Sequence, residues 1–175
     1  MRVFGVTGWK NSGKTTLAER LIAELSQRGY RVAALKHAHH SFEIDREGTD
    51  SYRHRAAGAA EIAIVSSGRW AMVGELRGEE EPTMTEMLAR LSPCDVVIVE
   101  GYKRETHPKI ECRRLGARKV EPLAPGDPQI LAVASDHDTE TGGLPRFDLD
   151  DVGAIADFVV ARLQLPHTDR AEATA

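Results

Sequence analysis

The sequence predicts an α/β fold: a three-layer sandwich around a mostly parallel (mixed) sheet. Three observations predict it. The strand-like run RVFGVT passes directly into GWKNSGKTT, which fits the P-loop NTPase pattern GxxxxGK followed by Ser or Thr. Strand-like and helix-like segments then alternate along the chain, as in parallel sheets crossed by helices. The run DVVIVEG is continuously apolar and β-branched before its acid, the pattern of a strand covered on both faces.

Each element follows from a local pattern. Residues 2–7 form the first strand. Ala18, Leu21, Ile22 and Leu25 recur at i, i+3, i+4 and i+7, the apolar face of a helix, and Gly29 supplies its stop. Residues 31–36 read as a second strand, 37–48 as a polar stretch rich in histidine and acid, and 50–60 as helical. Residues 62–65 and 70–73 read as a strand and its antiparallel return across Ser66-Ser67-Gly68. An acidic loop, 78–82, precedes a helix over 83–91 with Thr83 and Glu86 at capping-box positions. Residues 95–101 read as the most buried strand, 109–113 as a half-exposed alternating strand and 129–134 as another buried strand. Val152, Ile155, Ala156, Val159 and Leu163 mark a final helix. Residues 1–165 are expected as one nucleotide-binding domain and 166–175 as a frayed polar tail. Ligands of such sheets sit at the carboxyl ends of the strands, which gathers segments 8–16, 37–50, 100–104 and 135–138 onto one edge.

Composition narrows the function. A length of 175 residues suits one domain with a real core, and 29% charged with 41% hydrophobic residues is ordinary for a soluble protein. A net charge of -4 argues against a general nucleic-acid binder. No apolar run is long enough to span a bilayer, and the N-terminus carries no charged-then-apolar leader. Cys94 and Cys112 show no CxxC spacing and read as small hydrophobes. A cytoplasmic protein without nucleic-acid or membrane partners is expected.

The glycine-rich loop carries the clearest chemistry. Its backbone N–H groups turn inward around a phosphate, Lys14 reaches the β- and γ-phosphates, and the Thr15 hydroxyl can ligate Mg²⁺. The following helix adds the positive end of its dipole. Gly8, Asn11, Ser12, Gly13, Lys14, Thr15 and Thr16 are therefore the phosphate-binding set. The loop specifies a nucleoside di- or triphosphate without naming the base. Glu100 ends the most buried strand, where a P-loop protein holds Mg²⁺ directly or through water. Lys10, inside the loop, is either an added phosphate contact or a solvent-facing side chain.

Other residues leave alternatives open. Lys36, His37, His39 and His40 leave a strand at the same edge. They could contact an anionic ligand, hold zinc together with His54, or form an exposed loop, although Lys36 would repel a cation. Asp45 and Asp50 flank Gly48-Thr49. Asp45 is a catalytic candidate beside Lys14, positioned to meet Mg²⁺ or orient a water. Asp50 either shares that role or caps the next helix. Lys103, Arg104, Lys109, Arg113, Arg114, Arg118 and Lys119 concentrate positive charge, as a solvated face or as a docking patch for an anionic ligand or acidic protein. Asp136 could accept from guanine N1–H and N2–H, or simply form a turn; no full NKxD motif is present.

Taken together, GWKNSGKTTL, KHAHH, the D-x-x-G-T-D-S-Y-R-x-R-x-A-G-A run from Asp45, RWAMV, DVVIVEGYK and ILAVASD resemble the molybdopterin-guanine dinucleotide biosynthesis adapter family, MobB, over about residues 1–165. Many families share the P-loop; KHxHH, TDSYR…AGA and VEGYK in this order are far more specific. The resemblance implies a GTP-binding protein with weak GTPase activity, Mg²⁺ as cofactor and a sheet of the P-loop GTPase group. It implies a homodimer that assists the guanylyltransferase MobA, which joins GMP to molybdopterin. It also implies phosphate and Mg²⁺ roles for Gly13, Lys14 and Thr15, the second nucleotide motif's acid for Glu100, and a guanine-reading role for Asp136. Lys36, His37, His39, His40, Asp45, Asp50, Ser51 and Arg55 match signature positions near the ligand edge. The family commonly has a small or polar residue at the position of Lys10. From the residues alone, a P-loop small-molecule kinase is the alternative, with Asp45 and the basic run supplying acid and lid. An interaction protein with a vestigial loop is a third reading.

Overall fold

The computed structural model describes residues 1–38, 42–119 and 121–167. In chain order its elements are β1 (Arg2–Gly8), α1 (Lys14–Gln27), β2 (Val32–Lys36), α2 (Asp50–Ala56), β3 (Glu61–Val65), β4 (Trp70–Gly74), α3 (Met84–Ala89), β5 (Val96–Glu100), β6 (Lys109–Arg113), β7 (Ile130–Ser135), β8 (Arg146–Asp148) and α4 (Val152–Leu163). They group into two compact units. One comprises Met1–His37 and the chain from Met84 onward; the other is Ala38–Thr83.

The larger unit is built on a six-stranded sheet of order β2-β5-β1-β6-β7-β8. Every pairing in it is parallel. Helices cover both faces, giving the expected three layers. On one face Phe4, Val6, Val96, Ile98 and Ile110 pack with Leu17, Leu21 and Leu25 of α1 and Ile155 and Val159 of α4. On the other, Leu35, Val97 and Val99 pack with Met84, Met87 and Leu88 of α3. Successive residues of β5 thus enter opposite cores, which is why its sequence is apolar throughout rather than alternating.

Strand β6 departs from expectation. Its alternating sequence predicts a half-exposed strand, yet all five residues of KIECR are buried. The reason is position: β6 lies between β1 and β7. Its polar side chains are compensated internally, as burial demands. Lys109 Nζ donates to the Lys103 carbonyl at 2.8 Å and to Asp127 Oδ2 at 2.7 Å. The Glu111 carboxylate accepts from Leu123 N–H at 2.8 Å, Ala124 N–H at 3.0 Å and Arg113 Nη2 at 2.8 Å. The basic run is therefore not one solvated face, because Lys109 and Arg113 are interior. The three-residue strand β8 also went unread, being too short for a period to show.

In the smaller unit, Thr49 rather than Asp50 caps α2, its hydroxyl accepting from Tyr52 N–H at 3.4 Å. β3 and β4 form the expected antiparallel ribbon, from Glu61 opposite Gly74 to Val65 opposite Trp70. Among the described residues no helix is long and apolar enough to cross a membrane.

Candidate functional site

The loop between β1 and α1 is shaped by backbone that only particular residues tolerate. Gly8 has φ +141°, and a Cβ there would lie 2.5 Å from Ser12 Oγ and 2.6 Å from the Cys112 carbonyl oxygen. Gly13 adopts the left-handed region with φ +92°, and Asn11 does so at +66°. Gly13 stands at the N-cap of α1 with no side chain capping the helix and no acid in its first turn. The first-turn N–H groups and the helix dipole are thus left to an anion from outside. Ser12 is buried and its Oγ has no hydrogen-bond partner among the described residues.

The site's side chains converge from the ends of two parallel strands and the first turn of α1. The register sets Val6 of β1 and Lys36 of β2 level with Glu100 of β5. The Thr15 hydroxyl donates to Glu100 Oε1 at 2.9 Å. Lys36 Nζ lies 3.4 Å from Glu100 Oε2. Lys14 Nζ donates to the Trp9 carbonyl at 2.6 Å, across the loop. Burial lowers the Lys14 pKa, opposed by the negative charge of Glu100 and assisted by Lys36. A hydroxyl and a carboxylate in contact are hard oxygen donors, which fits Mg²⁺ completing its octahedron with water and phosphate. Among the described residues no group of three or more His, Cys, Asp or Glu could hold a metal by itself. His39 and His40 lie outside the described residues.

The other expected residues sort into three sets. His37 joins the Glu100 strand end: its N–H donates to the Glu100 carbonyl at 2.9 Å, and its ring lies 5.1 Å from that of Tyr102. Gly101 makes this possible, since a Cβ there would meet the His37 carbonyl oxygen at 2.8 Å. Asp45 and Arg55 come together in the smaller unit at 3.0 and 3.3 Å, with Glu75 3.5 Å from the same guanidinium. Asp50 is exposed beside Arg53. Asp136, beyond the end of β7, has both oxygens engaged. It accepts from Leu115 N–H at 3.1 Å and bonds His137 Nδ1 at 2.8 Å, with Arg114 at 3.5 Å. The His137 bond, ahead of the Leu115 N–H, holds its carboxyl below the usual range. Thr16 and Lys10 are exposed, and the Lys10 carbonyl accepts from Arg118 N–H at 3.1 Å.

A family model described as MobB, molybdopterin guanine dinucleotide synthesis protein B, matches residues 3–136. The chain belongs to the MobB family. It is 38% identical over 160 residues to the molybdopterin-guanine dinucleotide biosynthesis adapter protein of Haemophilus influenzae, covering 90% of this chain and 86% of that one. It is 39% identical over 158 residues to the protein of the same description from Escherichia coli, covering 89% and 90%. The crystal structure of Bacillus subtilis MobB superposes with a TM-score of 0.71 at 28% identity, covering 93% of this chain and 98% of that one. The fold expected from the P-loop and the alternating elements is therefore the MobB fold.

In this MobB chain, sequence reasoning passed over Trp9. Its indole N–H donates to the Glu121 carbonyl at 2.6 Å. The ammonium groups of Lys103 and Lys119 lie 4.4 and 4.7 Å from its ring centroid. The sequence signal was Lys103 and Lys119, both read as members of one basic run. Cys112 lies beneath the loop as a buried free thiol whose pKa burial pushes up to about 12. It is a packing residue, as its lack of a CxxC partner suggested.

Proposed function

We propose that this MobB protein is an adapter in molybdopterin-guanine dinucleotide biosynthesis that binds GTP with Mg²⁺ at residues 8–16 and hydrolyses it slowly. The observation that carries the reading is the Thr15–Glu100 contact at 2.9 Å beside Lys14 and an uncapped helix N-terminus. Lys14 would exchange the Trp9 carbonyl for a phosphate oxygen, a stronger acceptor. Thr15 and Glu100 would hold Mg²⁺, which neutralises phosphate charge during transfer. Slow turnover follows from the surroundings: in the larger unit no carboxylate other than Glu100 stands within hydrogen-bond reach of Lys14 or Thr15 among the described contacts. The family relationship supports a MobA-type guanylyltransferase as partner and molybdopterin or its guanine dinucleotide as the shared cargo. Self-association as a homodimer is supported by the β3–β4 ribbon, which leaves Val65, Trp70 and Met72 exposed. In the smaller unit Asp45 and Arg55 form a fixed pair, and a part for them in hydrolysis belongs to this proposal. So does a ligand-edge role for Lys36, His37, His39 and Asp50, and base reading by Asp136, which would require it to release Leu115 or His137.

The test is calorimetric titration with GTP and ATP, with and without Mg²⁺, followed by turnover assays with and without a MobA-type partner. Mg²⁺-dependent preference for GTP, slow hydrolysis and stimulated dinucleotide formation are expected. Preference for ATP, or γ-phosphate appearing on a small acceptor, would replace the adapter by a kinase.

A further inference from the structure

A cleft opens beside the phosphate loop on the side of β1 facing β6 and β7. Its volume is about 580 Å³, and Thr7, Trp9, Lys103, Glu121, Leu123 and Ile130 are among its walls. Small-molecule sites run from about 300 to 1,000 Å³ and combine apolar walls with a few polar groups. Here the apolar wall is Trp9 with Leu123 and Ile130. The charged groups in its walls are the Lys103 ammonium, the Glu121 carboxylate and the Asp127 carboxylate, the last already paired with Lys109; Lys119 reaches the Trp9 ring from beside the cleft.

The charge arrangement is incomplete. Lys103 and Lys119 both rest on the Trp9 ring, and neither makes an ion pair with a carboxylate among the described residues. Lys14 is the third ammonium at this residue, bonded to the Trp9 carbonyl. Burial lowers the Lys103 pKa first, and the charges of Lys14 and Lys119 lower it further. Cations collected against mutual repulsion around an aromatic ring favour an anion with a flat apolar body. Lys103 and the indole are also held rather than loose. The Lys103 backbone is anchored through its carbonyl to buried Lys109. The indole is anchored to the Glu121 carbonyl.

We propose that this cleft binds a phosphomonoester of a planar aminopyrimidinone heterocycle, the pterin class, next to and simultaneously with the nucleotide in the phosphate loop. The phosphate draws Lys103 and Lys119 off the indole, and the heterocycle takes the ring face they leave. The Glu121 carboxylate, which makes no ion pair among the described residues, can accept from the heterocycle's amino and ring N–H groups. This inference rests on the molybdopterin reading above and gives its pterin cargo a location. It also gives a role to the loop from Arg114 to Lys119, which carries one of the two cations.

The experiment uses the full chain with Trp70→Phe, so that Trp9 is the sole tryptophan. Indole quenching is followed while 6-hydroxymethylpterin monophosphate is added, with and without saturating GTP and Mg²⁺. The same pterin without phosphate, and inorganic phosphate alone, are titrated in parallel. Saturable quenching by the ester is expected, at least about tenfold tighter than either control. Lys103→Ala with Lys119→Ala should weaken it by a similar factor and leave GTP affinity within about threefold, whereas the Lys103→Arg and Lys119→Arg pair retains it. Equal ester affinity in the alanine pair would overturn the proposal. So would displacement of the ester by GTP, which would assign both lysines to the nucleotide, and so would equal affinity for inorganic phosphate. If GTP itself failed to bind the parent chain, the nucleotide reading would fall while the nucleotide-free titration still decided this cleft.

Discussion

Thr15, the second residue of α1, donates its hydroxyl hydrogen to Glu100, the last residue of β5, at 2.9 Å across 85 positions of sequence. The contact ties the phosphate loop to the central strand and sets a Mg²⁺-type oxygen pair at the carboxyl edge of the sheet. Glu100→Gln should remove the Mg²⁺-dependent part of GTP affinity, about tenfold or more, and leave Mg²⁺-free affinity unchanged or improved, since a negative charge near the phosphates is gone. Paired titrations with Mg²⁺ and with chelator check it.

Gly8→Ala should damage both fold and binding. The new Cβ would meet Ser12 Oγ and the Cys112 carbonyl at 2.5 and 2.6 Å, in a backbone region of φ +141° that side chains rarely adopt. A loss of roughly 2–4 kcal/mol is expected, with GTP binding lost in whatever folds. Urea unfolding of the variant beside the parent measures it.

His107 sets an acid limb on stability. It is buried against Gly5, and burial, aided by Lys109 and opposed by Asp127, lowers its pKa to about 4. The native ring is therefore neutral while the unfolded ring takes a proton below about 6.5. The unfolded state binds more protons in this window, so stability is full above pH 6.5 and falls as pH drops toward 4, by on the order of 2 kcal/mol. His107→Gln should flatten this limb, whatever its effect at neutral pH. Denaturation midpoints between pH 4.5 and 7.5 decide it; an unchanged slope would refute the assignment.

The Lys109–Asp127 pair should show the asymmetry of buried charges. Lys109 is 1% exposed and its ammonium rests on Asp127 at 2.7 Å. Asp127→Ala leaves that ammonium without its counter-ion and should cost about 3–5 kcal/mol. Lys109→Met with Asp127→Ala removes both charges and should recover much of the loss. Thermal melts of the single and double variants test the ordering.

Much of this protein was legible from local chemistry. The glycine-rich loop, the helix face from Ala18 to Leu25 and the doubly covered strand β5 each declare themselves within a few residues. Their signals are backbone requirements and apolar periods, which depend on near neighbours in the chain. The rule that ligands sit at the carboxyl ends of parallel strands placed His37 and Glu100 on one edge, and the structure joins them through the His37 N–H.

Tertiary structure alone decided the rest. KIECR reads as half-exposed until β1 and β7 close on both sides of it; only then do Lys109, Glu111 and Arg113 become interior groups with partners 2 to 27 positions away. Asp136 reads in the sequence only as an acid after a buried strand; the fold adds Leu115 and Arg114 from the loop after β6 as its partners. Trp9 reads as one variable position in a glycine-rich loop until two lysines from different loops settle on its ring. Burial and charge pairing are sums over neighbours distant in sequence. The chain by itself therefore determined the glycine-rich loop and the segments that share its edge of the sheet, while the fold determined which charges were already satisfied and, among the described residues, which make no ion pair.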